Sequence, residues 1–173
     1  CARPAPVLII AHGLSGSGKT TLTQPILEAI GALRVRSDIE RKRLFQLPSG
    51  AQTVSGIAEG IYAGDAGDRT YARLAELAAA ALRSGWPVIV DATFLELRRR
   101  SNFRDLADRL SVPFLILDFQ ASETALIARV RARQETGSDA SEAGIPVLGH
   151  QIAQYEPLSA PETEYTLRID TEH

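Results

Sequence analysis

Val7-Leu8-Ile9-Ile10-Ala11-His12-Gly13-Leu14-Ser15-Gly16-Ser17-Gly18-Lys19-Thr20-Thr21 is the stretch around which the rest of the chain is arranged. Its first five residues are an apolar run of strand length. The turn after it fits G-x-x-x-x-G-K-[ST], with Gly13, Gly18, Lys19 and Thr20 at the fixed positions. Leu22, Ile26, Leu27 and Ile30 then recur at helical spacing. From average residue frequencies the four fixed positions arise by chance in roughly one chain of this length in a hundred, and the correct flanks make that rarer. Strand, glycine turn and helix together make a phosphate cradle. The glycines let the backbone curl so that successive N–H groups face phosphate oxygens, and the helix N-terminus adds its partial positive charge. Lys19 can reach the β- and γ-phosphates, and the Thr20 hydroxyl is a ligand for Mg²⁺. Ser15, Gly16, Ser17 and Thr21 complete the set expected to touch a nucleoside triphosphate.

Composition narrows the class. The 173 residues suit a single domain, 1–173, with room for a real core, and 45% are apolar. No apolar run approaches the ~20 residues of a membrane helix. One Cys cannot form an internal disulfide, so a cytoplasmic setting is expected. A net charge of −2 argues against affinity built on neutralising a nucleic-acid backbone. The chain starts at Cys1 and contains no Met, the pattern expected of a domain cut from a longer fusion.

Taken in order, residues 33–36 read as a second strand, reached through Gly31, which is placed to end the first helix. A helix opens over 37–44, where Ser37 and Glu40 have capping-box spacing. Asp38 is not explained by capping. An acid at the end of a parallel strand, three residues before Arg41, lies where open α/β sheets bind ligands; a first-turn charge pair between the two is the plain alternative. Residues 45–70, rich in Gly, Pro, Ser and Gln over 45–61, read as a substrate loop. An amphipathic helix is expected from about 68 to 84.

Residues 87–91 form a buried strand ending in Asp91, an acid of the kind that holds Mg²⁺ directly or through water. Asp118, closing a strand over 114–119, is the runner-up. Between them a helix over 96–110 carries Arg98, Arg99, Arg100 and Arg104, read as a solvated basic face or in part a contact for an anionic substrate. A helix over 122–134 places Arg129 and Arg133 on one side and Arg131 on another. The small polar segment 134–144 follows, so 129–144 suits a lid closing over phosphates. A short helix over 145–154, a loop and a strand over 165–169 end the pattern. Five strands alternating with helices predict a parallel sheet covered on both faces.

These motifs also carry a family resemblance. The cradle, then Arg36-Ser37-Asp38-x-x-Arg41-Lys42-Arg43-Leu44, then Val88-Ile89-Val90-Asp91-Ala92-Thr93-Phe94, then Arg129-x3-Arg133 ahead of Ser138-Asp139-Ala140-Ser141 resemble P-loop kinases of the zeta-toxin, polynucleotide 5′-kinase and gluconate-kinase group. Most similar are the predicted kinase domains found fused to aminoglycoside-phosphotransferase-like domains. The likeness covers roughly 7–158. It implies a sheet ordered 2-3-1-4-5 with the Asp91 strand beside the P-loop strand. It also implies that Asp38 is the base deprotonating the acceptor hydroxyl, that Arg41 binds substrate, and that Arg129 and Arg133 belong to the lid.

The expected activity is therefore ATP- and Mg²⁺-dependent transfer of the γ-phosphoryl group to a hydroxyl of a small molecule, with Lys19, Asp38, Arg41, Arg129 and Arg133 as its catalytic groups. Two alternatives stay open: a polynucleotide or nucleotide 5′-kinase, and a nucleotide-binding regulatory ATPase module serving a fused partner domain.

Overall fold

Leu8 to His12 are all buried and form β1 (Leu8–His12), whose near-continuous apolar character follows from cover on both faces. The computed structural model describes residues 5–46, 64–136 and 144–172. After β1 come α1 (Lys19–Ile30), β2 (Leu33–Arg36), α2 (Ser37–Leu44), α3 (Gly64–Arg83), β3 (Val88–Asp91) and α4 (Leu97–Leu110). The chain continues through β4 (Phe114–Gln120), α5 (Glu123–Thr136), α6 (Ile145–Ala153), a 3₁₀ turn (Ala160–Tyr165) and β5 (Thr166–Asp170).

The sheet is parallel throughout and ordered β2-β3-β1-β4-β5, as the sequence pattern and the family resemblance imply. In register, Ala11 pairs with Asp91 and His12 with Asp118, so the strand ends that carry acids flank the strand that feeds the glycine turn. Side-chain alternation assigns the two faces. Leu8 and Ile10 pack with Leu74 and Leu82 of α3 and with Phe103 and Leu106 of α4, while Ile9 and Ala11 pack with Ile26 and Leu27 of α1. Gly31, at φ 60°, ends α1 and returns its N–H to the Leu27 carbonyl.

Some local expectations change. α3 starts at Gly64 rather than near 68. The substrate-loop stretch 47–63 and the lid stretch 137–143 lie outside the described residues. The capping box read at Ser37 and Glu40 does not form: Arg36 is the N-cap of α2, no side chain caps it, and Glu40 is buried against Arg43 at 2.5 Å. Among the described residues a capping box joins Ser159 and Glu162 at the 3₁₀ turn. Among the described residues no helix is long and apolar enough to cross a membrane.

Candidate active site

The glycine turn is held by close packing as well as by its own curvature. Gly13, at φ 140°, would bring a Cβ within 2.7 Å of the Phe119 carbonyl oxygen. At Gly16, φ 87°, a Cβ would meet the Leu126 carbonyl oxygen at 3.0 Å and Val130 Cγ2 at 3.2 Å. These positive φ values and contacts exclude larger residues, and they show that α5 backs directly onto the turn. Ser15 N–H donates to Gln151 Oε1 at 2.9 Å, which ties α6 to the same loop.

Lys19 folds over the turn. Its Nζ donates to the carbonyl oxygens of Gly13 at 2.8 Å and Leu14 at 2.7 Å. Burial pushes its ammonium down from 10.5 to about 8; Asp91 and Asp38 work against this, and the Arg133 charge adds to it. Behind it, Thr20 Oγ1 donates to Asp91 Oδ2 at 2.7 Å. A hydroxyl and a carboxylate side by side are hard oxygen donors, and they fit Mg²⁺.

Asp38 faces the same crevice, of about 310 Å³, whose lining includes Lys19, Thr20, Asp38, Arg41, Asp91 and Arg133. Its carboxylate does not pair with Arg41, as a first-turn charge pair would have it. Arg36 holds it instead, through Nε at 3.1 Å and Nη2 at 2.6 Å. Arg36, Tyr71 and Gln151 also line the crevice, and the sequence reading gave none of them a role there. Tyr71 sits at a core-facing position of α3. Its hydroxyl accepts from Phe94 N–H at 3.0 Å, and Phe94 has the uncommon φ of 50°.

The arginines divide by position. Arg129 lines the crevice but is engaged: it donates to the Gly16 carbonyl at 3.3 Å, to Thr171 Oγ1 at 2.9 Å and to the Thr171 carbonyl at 2.7 Å. Its helix is packed through Leu126 and Val130 against Leu148 and Leu14, so Arg129 braces the turn in this structure. Arg133 lines the crevice one helical turn further along. The basic run of α4 is elsewhere. Arg98 pairs with Asp68 at 2.8 Å, Arg99 stacks on Tyr71 at 4.1 Å from the ring centre, and Arg104 lies over Tyr165 at 4.6 Å. Arg100 is 1% exposed and pairs with Glu162 at 2.6 Å, so it belongs to the core.

Asp118 stands on the far side of β1 from Asp91 and is committed to other partners. Its Oδ1 faces His12 Nδ1 at 2.7 Å, and its Oδ2 accepts from Gln120 Nε2 at 2.8 Å. Burial alone would raise this carboxyl, but the His12 and Gln120 hydrogen bonds and the Arg168 charge hold it below its ordinary value. Among the described residues His12 Nε2 is buried without a hydrogen-bond partner, beside Tyr155 in another cavity of about 260 Å³ behind the turn.

A family profile described as "AAA domain" matches residues 8–158. No curated protein matches the chain. Among solved structures, a gluconokinase from Sinorhizobium meliloti 1021 is similar over 99% of this chain and 86% of its own, with 24% identity and a TM-score of 0.64. A candidate kinase from Chloroflexus aurantiacus j-10-fl is similar over 98% and 87%, with 21% identity and a TM-score of 0.71. A sugar kinase from Janibacter sp. HTCC2649 is similar over 95% and 85%, with 17% identity and a TM-score of 0.65. At these identities the likeness is one of fold: the sheet and helices of P-loop kinases.

Proposed function

This chain belongs to the AAA-domain family, and from that premise we propose that it is a nucleotide-dependent phosphotransferase moving the γ-phosphoryl group of ATP to a hydroxyl of a small molecule. The observation that carries this reading is the shared crevice. Lys19, Thr20 and Asp91 line it together with Asp38 and Arg41, so a phosphate cradle and a carboxylate on a second element face one space. A module that only bound or slowly hydrolysed nucleotide would need no such second wall. The solved relatives named as kinases support the same class.

The roles follow from chemistry. Backbone N–H groups of the turn and the Lys19 ammonium bind the triphosphate. Thr20 and Asp91 would hold Mg²⁺, which when bound neutralises phosphate charge. Asp38 receives the acceptor proton, and Arg41 orients the acceptor. Arg133 stabilises charge on the transferring group. Phosphoryl transfer asks little covalent help of the protein, so positioning and charge stabilisation supply most of the rate.

The test is a screen of hydroxyl acceptors for ³²P transfer from γ-labelled ATP, covering sugar acids, nucleotides, aminoglycosides and a 5′-hydroxyl oligonucleotide. Labelled product from a small molecule is the expected result. Saturation by the oligonucleotide alone, with steep salt dependence, would assign a polynucleotide 5′-kinase instead. Release of inorganic phosphate with no labelled acceptor would overturn the transferase reading.

A further inference from the structure

Arg36 ends β2 and Asp38 is the second residue of α2, so the backbone turns from strand to helix between them. The turn brings the two side chains together in a fork. Arg36 Nε donates to Asp38 Oδ1 at 3.1 Å, and Arg36 Nη2 donates to Asp38 Oδ2 at 2.6 Å. Oδ1 accepts a second bond from Ile39 N–H at 2.8 Å. Two N–H groups on Oδ1 and one on Oδ2 fix the plane of the carboxylate. Among the described residues this leaves one lone pair, on Oδ2. The pair is largely enclosed, with side chains 17% and 18% exposed, and both residues line the crevice.

We propose that Arg36 is the positioning residue for Asp38: its planar fork sets the carboxylate so that the remaining Oδ2 lone pair meets the acceptor hydroxyl. The inference rests on the reading of Asp38 as proton acceptor. In the step served, the acceptor O–H bond breaks and its proton passes to Asp38 Oδ2. The acceptor oxygen bonds to the γ-phosphorus, and the bond from that phosphorus to the β–γ bridging oxygen breaks, leaving ADP. A loose transition state of this kind gains more from a well-placed base than from a strong one. The fork constrains the Asp38 plane with two parallel bonds, which a lysine ammonium cannot do. Arg36 also lies opposite Asp91 in the β2–β3 register, so the clamp is anchored to the strand that carries the proposed metal-holding acid.

The test is a double-mutant cycle on the whole chain, with water as the acceptor because it is always present. Release of ³²P from γ-labelled ATP is followed for the wild type, Arg36→Gln, Arg36→Lys, Asp38→Asn and Arg36→Gln/Asp38→Asn. The expected result is a fall in kcat of about 10- to 100-fold for each Arg36 variant, with the KM for ATP within about twofold. Arg36→Lys should be no better than Arg36→Gln, since it keeps the charge and loses the fork. The double variant should be no slower than Asp38→Asn, because a residue acting through Asp38 has nothing left to position. Additive losses, or a Lys variant with wild-type kcat, would overturn the positioning role and leave the base reading standing. An unimpaired Asp38→Asn would remove both.

Discussion

Thr20 Oγ1 donates to Asp91 Oδ2 at 2.7 Å, joining the first turn of α1 to the last residue of β3 across 71 residues of sequence. The contact exists because β3 lies directly beside β1, with Asp91 in register with Ala11.

Asp91→Asn should raise the Mg²⁺ concentration needed for half-maximal activity by about 10-fold or more, whereas Asp118→Asn should not. Both Asp118 oxygens are already held, by His12 and by Gln120. Activity titrated against Mg²⁺ separates the two, and the opposite ranking would transfer the metal role to Asp118.

Lys19 should make nucleotide binding pH-dependent. Its ammonium titrates near 8 in the ligand-free protein, because burial disfavours the charge. Phosphates favour the charged form, so binding above about pH 8 takes up a proton, and affinity falls as pH rises. Calorimetry at pH 9 in buffers of different ionisation enthalpy should detect this uptake, and Lys19→Met should abolish it. The same shift sets a stability slope. Between about 8 and 10.5 the unfolded chain holds more protons at Lys19 than the folded one, so ligand-free stability rises with pH there. Denaturation at pH 8 and pH 10 should show a smaller rise in Lys19→Met than in the wild type.

The two crevice-lining arginines of α5, Arg129 and Arg133, should behave differently. Arg129→Ala removes the bonds to Gly16 and Thr171, so it should lower both the melting temperature and nucleotide affinity. Arg133→Ala should depress kcat more than it raises the KM for ATP, as expected of a contact that matures in the transition state. Arg131, exposed on another side of the helix, is the control and should change neither. Steady-state kinetics with parallel melting curves would show it, and equal effects from Arg131→Ala and Arg133→Ala would remove Arg133 from the catalytic groups.

Arg100→Met should destabilise by about 3–5 kcal/mol, because it strands the buried Glu162 carboxylate. Arg100 also bonds the carbonyls of Phe94, Leu95, Glu156 and Pro157, so those acceptors lose a donor too. Pairing it with Glu162→Gln should recover part of the loss. Urea denaturation of the single and double variants measures this, and a loss under about 1 kcal/mol would make the pair a surface-like contact.

The strand–turn–helix of the cradle, the alternation of strands and helices, and the strand that ends in Asp91 were all legible from residue order. Each is local: apolar runs, glycine spacing and helical periodicity act within about a dozen residues, and the parallel sheet follows from their alternation. Where the charges go depends on packing between distant elements. Arg98, Arg99 and Arg100 are identical neighbours in sequence, yet only Arg100 shares a buried face with Phe103 and Ala107, at offsets of three and seven. That periodicity was legible, and three adjacent arginines concealed it. Ser37 and Glu40 had capping-box spacing, but Glu40 is buried and bound by Arg43 and Arg73, and the box forms at Ser159 and Glu162, where the carboxylate also receives Arg100. The Arg36 fork required the sharp turn from β2 into α2. The His12–Asp118 contact spans 106 residues and that of Ser15 with Gln151 spans 136, so neither leaves a local trace. A titratable side chain takes whichever partner the packed fold brings within about 3 Å, and that choice is made by strand order and helix docking, not by sequence neighbours.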